Sequence, residues 1–165
     1  MPATVPTVLL DAGQIAFMQG GISISVGSAG RDGPQLVRAL GCKVAGGGAS
    51  VTVFVPESRS QAVQRDVFAN GALAVVFTQP STHRTMQIKS REARVTALAA
   101  ADLALVDAYR EAFLAELEPM GFTEPMVRAF LACPPGELVG LTFRPTAAFT
   151  QTPGPNAGKP LEAGA

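Results

Sequence analysis

Residues 34–61 read PQLVRALGCKVAGGGASVTVFVPESRSQ, and the period of the chain changes inside them. PQLVRALGCKVA, residues 34–45, has the apolar density of a strand, the GGG at 46–48 supplies a hairpin turn, and SVTVFV, residues 50–55, returns beside it. Pro56 stops the return strand. Beyond it Ser58-Arg59-Ser60-Gln61 has the Ser-x-x-Gln form of a capping box, and Ala62, Val63, Val67 and Phe68 follow at helical spacing as far as Asn70-Gly71. A hairpin that runs straight into a short helix is therefore the central unit.

Working outward, GGISISVGSAG at 20–30 alternates Ile22, Ile24 and Val26 with Ser23, Ser25 and Gly27, the period of a half-buried strand, and GRDG turns it into the hairpin. Downstream, ALAVVFT at 72–78 reads as a fully buried strand and residues 84–97 as a long polar-apolar one. A helix is expected from about Asp102 to Glu118, burying Leu105, Val106, Tyr109, Phe113 and Leu117. Thr123 before Glu124-Pro125 opens a second helix that ends near Cys133-Pro134-Pro135, and ELVGLTFRPTAAF at 137–149 is the last strand. Residues 1–150 then form a single domain, with a mobile Pro/Gly-rich tail at 151–165. The expected class is mainly β, an antiparallel barrel of about six strands with one short helix after strand 3 and two helices before the last strand.

Composition narrows the function. Thirteen Lys and Arg balance thirteen Asp and Glu, which removes the basic footprint of a nucleic-acid binder, so any anion site must be local. Charged residues are only 16% and apolar ones 47%, against about 25% charged in an average domain, which leaves apolar surface for a homodimer to cover. Cys42 and Cys133 have no C-x-x-C spacing and read as thiols of a reducing cytosol; with one His they cannot build a structural zinc site. The N-terminal stretch lacks the basic and long apolar segments of a signal peptide, and no run approaches a membrane span, so a cytoplasmic, soluble protein without membrane partners is expected.

GSAGRDG lacks the spacing of a dinucleotide fingerprint and leads into a strand, so its glycines read as turn residues. His83 is the only histidine and no G-x-S-x-G surrounds a serine, so no catalytic triad and no acid-base pair can be assigned. The start of the helix near Ser58 is the better candidate. Unsatisfied backbone N–H groups, two hydroxyls (Ser58, Ser60) and Arg59 meet there, which is a phosphate site in outline. Arg38 and Lys43 lie an odd number of residues apart, hence on opposite faces of a regular strand unless a bulge near Gly41 intervenes. The same parity separates Arg84 from Thr85 and Lys89 in QPSTHRTMQIKS, residues 79–90.

Arg38-x4-Lys43 on a strand, a turn, Val53-Phe54 on the return strand, Ser58-Arg59 before a helix, then a buried strand and THRTMQIKSREARV resemble the FMN-binding split barrel of the pyridoxamine 5′-phosphate oxidase superfamily over residues 18–97. The resemblance implies FMN as cofactor, with Arg38 and Arg59 on its phosphate beside Ser58 and Ser60. It implies that backbone at Val53 and Phe54 faces the ring system, that Lys43 lies near ring or substrate, and that Arg84 and Thr85 border the site. Where the family commonly has Gln, this chain has Thr85, and the substrate-side Arg-x-His has no counterpart in TFRPTAAF. It further implies a homodimer with the cofactor at its interface and a flavin-dependent oxidoreductase of unknown substrate. The same fold also serves deazaflavin and haem proteins, for which His83 is the one available imidazole, and a non-enzymatic dimer with a degenerate pocket stays open.

Overall fold

A computed structural model describes residues 7–161. Its elements are α1 (Ala12–Met18), β1 (Ser23–Gly30), β2 (Gly33–Arg38), β3 (Cys42–Ala45), β4 (Ser50–Pro56), α2 (Gln61–Asn70), β5 (Leu73–Thr78), β6 (Thr85–Ser90), β7 (Arg94–Thr96), α3 (Ala100–Leu117), α4 (Glu124–Phe130), β8 (Leu138–Phe143) and β9 (Ala147–Thr150). They form two antiparallel sheets, ordered β2-β1-β5-β6-β9 and β3-β4-β8-β7. The chain is mainly β with added helices, and the two sheets do not close into one continuous barrel.

Among the described residues nine strands replace the six expected, because three long strands each cross from one sheet to the other. Residues 34–45 divide into β2 and β3 at Ala39–Gly41, residues 84–97 into β6 and β7 at Arg91–Ala93, and residues 137–149 into β8 and β9 at Arg144–Thr146. The first corner has a visible cause. Gly41 has φ +115, a value closed to side chains with a Cβ, and a Cβ there would lie 3.1 Å from that of Tyr109. Leu40 N–H donates to Phe54 O (2.7 Å) and Phe54 N–H to Gly41 O (3.0 Å), so β4 holds the corner in place.

Both sheets turn one face to a shared core that includes Ile24, Val26, Phe54, Phe77, Ile88 and Leu141. β1 alternates as expected, and β5 also alternates, Leu73, Val75 and Phe77 inward and Ala74 and Val76 half-buried, where a fully buried strand was expected. α3 buries Val106, Tyr109, Phe113, Leu114 and Leu117, whereas Leu105 is exposed. Tyr109 donates its hydroxyl to Ile22 O (2.8 Å), which ties α3 to the entrance of β1. Burial pushes the Tyr109 pKa upward, against the opposing pull of Arg38.

Two local readings change. α1 was not foreseen; Asp11 accepts from Gln14 N–H while Gln14 accepts from Asp11 N–H, a complete capping box. At α2 the expected box is absent: Ser58 and Arg59 sit in a turn and the helix begins at Gln61. Ser60 is its N-cap, but the hydroxyl donates to Pro56 O (2.6 Å) and accepts from Gln64 Nε2 (2.8 Å) in place of capping the backbone. Its C-terminus falls at Gly71, as expected. Residues 151–161 turn back on β9, with Thr150 N–H donating to Lys159 O and Leu161 N–H to Ala148 O. No helix among the described residues is long and apolar enough to cross a membrane.

Candidate functional site

Arg38 ends β2, half-buried at the corner, and its position is fixed by a polar contact and two rings. Nη1 donates to Ser23 Oγ (3.0 Å), and Cζ lies 4.6 Å from the Phe130 ring centre and 5.9 Å from that of Phe113. Arg59 approaches from the turn before α2 and donates Nη2 to Ala132 O (3.0 Å), in the loop after α4. The two arginines line one cleft of about 50 Å³ with Val37, Leu40, Pro56 and Phe130. Neither is paired with a carboxylate among the described residues. Two uncompensated guanidinium groups at one small opening make a positive site.

The other expected donors are placed elsewhere. Ser58 is exposed in the turn, and the Ser60 hydroxyl, 1% exposed, has its proton committed to Pro56. Val53 and Phe54 are fully buried on β4, which is bonded on both edges to β3 and β8, and both backbone groups of Phe54 are taken by the Leu40-Gly41 corner. Lys43 leaves β3 toward α3, where Nζ donates to Asp102 Oδ1 at 2.7 Å. Asp102, 4% exposed, also accepts from Ala99 N–H (2.9 Å) at the start of α3. Burial alone would raise its pKa, but the Lys43 ammonium and the Ala99 N–H outweigh that and hold the carboxyl below the usual range.

The polar stretch 79–90 resolves into a hairpin and a strand. Gln79–Arg84 turn between β5 and β6, with His83 N–H donating to Gln79 O (2.9 Å) and His83 itself exposed at φ +59. Ser81 donates its backbone N–H (3.0 Å) and its hydroxyl to the Glu116 carboxylate, so the turn is docked on α3. Burial raises the Glu116 pKa, but these donors, with Gln79, prevail and leave it lowered. Arg84 stacks over Phe17 of α1 (4.3 Å). Thr85 donates to His83 O (2.9 Å), and its N–H is bonded to Thr152 Oγ1 (2.9 Å). Arg84 and Thr85 line a separate cleft of about 230 Å³ with Asp11, Gln14, Phe17 and Thr152. Within one chain the structure thus joins Arg38 to Arg59 and sets Lys43, Arg84 and Thr85 apart from them.

No protein-family model matches the sequence, and no curated protein matches it. Solved structures do. An F420 reductase superposes at TM-score 0.55 with 19% identity, over 84% of this chain and 98% of that one. HupZ of Group A Streptococcus gives 0.54 at 13% identity, over 91% and 100%. A candidate pyridoxamine 5′-phosphate oxidase from Lactobacillus delbrueckii gives 0.50 at 11% identity, over 86% and 93%. This is the pyridoxamine 5′-phosphate oxidase-like split-barrel fold. Identity this low carries the fold and leaves the site to be argued from residues.

For this split barrel the fit to FMN can be tested end by end. Arg38 and Arg59 suit a phosphoryl group in charge and in the forked geometry of their donors. The cleft between them, at about 50 Å³, is close to the room of one or two waters at about 30 Å³ each and far below the roughly 300 Å³ at which sites for ring systems begin. Residues fit the phosphate end; a ring would have to lie outside the cleft. Phe113, Phe130, Ser23 and Asp102, the residues that hold the cationic side chains, do not stand out as site residues in the sequence. Phe130 and Ser23 are remote from Arg38 in the chain, so only the fold could reveal them, whereas Asp102 stands three residues after Ala99 at the expected start of a helix, a position where an acid serves as a cap.

Proposed function

We propose that the protein is a homodimeric split barrel that binds FMN and acts as a flavin-dependent oxidoreductase. One observation carries the reading: Arg38 and Arg59, far apart in sequence and both without a carboxylate partner among the described residues, line the same cleft. When bound, the flavin supplies the hydride or electron transfer. The chain's own residues neutralise the phosphate with two guanidinium groups, with Arg38 held in place by Ser23 and the two phenyl rings. No general acid or base is assigned. Asp102 is held ionised by Lys43, and burial pushes the Cys42 thiol up to about 12, so neither exchanges protons near neutrality.

Support for a two-fold partner comes from the larger sheet. A groove of about 810 Å³ crosses β1, β2, β5, β6 and β9, with small side chains at Gly27, Ala29, Ala74 and Ala147 and an exposed Leu36 at its side. Such a continuous weakly polar sheet face suits a second copy better than water. A deazaflavin is the second reading, favoured by the likeness to an F420 reductase. The test is an absorbance spectrum of the purified protein before and after adding FMN or a deazaflavin, followed by titration of Arg38→Ala and Arg59→Ala. Each variant is expected to weaken FMN binding by about 1.5–3 kcal/mol, the worth of a charge-assisted hydrogen bond. Unchanged affinity in both variants removes the phosphate site, and a colourless protein that takes up neither cofactor leaves a non-enzymatic dimer.

A further inference from the structure

Half of the large apolar side chains exposed among the described residues lie in one short stretch, Met120, Phe122, Met126 and Phe130, at 43–58% exposure. α4 is the cause. Val127 and Leu131 turn into the core, so Met126 and Phe130, one position earlier in each case and four residues apart, share the outward side. A seven-residue helix with a buried face could carry polar residues on its outer side at no cost to packing. Here Met126 and Phe130 form an apolar stripe beside the Glu124–Arg128 ion pair, and the stripe runs to the edge of the Arg38/Arg59 cleft. Phe130 lines that cleft and meets the Arg38 guanidinium at 4.6 Å, while more than half of its surface remains open.

We propose that the outer side of α4, Phe130 with Met126, is the platform for the ring system of a ligand whose phosphate occupies the Arg38/Arg59 cleft. The ligand class is a phosphate monoester bearing a flat, extended heterocycle. This inference rests on the phosphate reading of those two arginines and adds the site of the ring. Continuity decides the occupant: the same phenyl ring borders the anion cleft and begins the apolar stripe, so one molecule can reach both. The cleft is too small for the ring, which must leave it, and of its apolar lining among the described residues (Val37, Leu40, Pro56 and Phe130) Phe130 alone is exposed. Four residues of helix rise about 6 Å, so Phe130 and Met126 together span the width of a fused ring system. A thioether beside a phenyl ring suits such a face, since both are polarizable and neither asks for a hydrogen bond.

Three probes separate the parts: FMN carries ring and phosphate, riboflavin the ring alone, inorganic phosphate the anion alone. Binding of the first two is read by flavin fluorescence, and that of phosphate by its competition with FMN. Phe130→Ala is expected to weaken riboflavin by about tenfold, and FMN by at least as much because the ring also steadies Arg38. Arg38→Ala should weaken FMN and phosphate and spare riboflavin. Because Phe130 also supports Arg38, riboflavin is the deciding probe. Unaltered riboflavin affinity in Phe130→Ala, or no riboflavin binding by the parent protein, overturns the platform while leaving the phosphate site standing. Equal affinity of the parent for FMN and riboflavin counts against the arginines alone. Met126→Ala, at a 58% exposed position, repeats the test should Phe130→Ala fail to fold. A change in sedimenting mass without change in flavin affinity assigns α4 to a protein contact and refutes the proposal.

Discussion

Replacing Asp102 with Asn removes one charge and almost no volume, and its cost follows from two contacts. The Asn carbonyl oxygen can still accept the Ala99 N–H, so the start of α3 keeps its cap. What is lost is the 2.7 Å hydrogen bond from Lys43 Nζ together with its charge, because the amide NH2 that takes the place of Oδ1 donates and cannot accept. A charge-assisted hydrogen bond contributes about 1.5–3 kcal/mol, and the Lys43 side chain is 36% exposed and partly screened, so the lower end applies, about 1.5 kcal/mol at pH 7. For a chain of this length that lowers Tm by roughly 3–6 °C. The pH dependence has a definite sign. The folded Asp102 carboxyl is held below its ordinary value near 4, so its contribution is complete above about pH 4 and is lost as pH falls through the folded pKa. Thermal unfolding of wild type and Asp102→Asn between pH 3 and 8 should therefore show a constant gap at neutral pH that closes in acid. Asp102→Ala, which also strips the cap, should cost about 1 kcal/mol more. A gap that is absent at pH 7, or that persists undiminished at pH 3, refutes the pairing.

The two cysteines should react at different rates. Cys42 is buried, donates to Met18 O and has its thiol pushed up to about 12, whereas Cys133 is half-buried, so a thiol reagent at pH 8 should label one group in the native protein and two after denaturation. Gly41→Ala should destabilise by about 1–3 kcal/mol in a denaturant titration, since φ +115 is closed to alanine and Tyr109 stands 3.1 Å from the added methyl. An unchanged midpoint would mean that the corner between β2 and β3 relaxes freely.

Most of the fold was legible because each element is amphipathic at its own period. β1, α2 and α3 fall close to where alternation and helical spacing put them. The corners were harder: a strand that crosses between sheets keeps its apolar pattern through the bend, and 84–97 contains no residue whose chemistry forces a break as Gly41 does, whereas Pro145, with no N–H to give a ladder, stands in the Arg144–Thr146 corner and was a legible signal. α1 could have been found: Asp11-x-x-Gln14 is as good a capping box as Ser58-x-x-Gln61, which does not form. Pro56 explains the latter, because its carbonyl recruits the Ser60 hydroxyl and delays the helix to Gln61. At the site, parity separated Arg38 from Lys43, and the corner at Gly41 then carries Lys43 into the other sheet. The crowd of polar residues at 79–90 owed its composition to a docked hairpin turn, with Glu116 as the distant partner that no local pattern could name.

The register that joins β4 to β8 also bears on biosynthesis. Thr52 and Thr142 share a hydroxyl contact across 90 residues of chain, and β4 lies between β3 and β8. During translation the segment SVTVFV therefore emerges from the ribosome long before the strand that will cover its second edge. A nascent chain stalled or truncated before residue 138 would display a β-branched, uncharged edge to its neighbours, so recovery of intact protein should respond to chaperone supply and growth temperature more than the stability of the finished molecule would suggest.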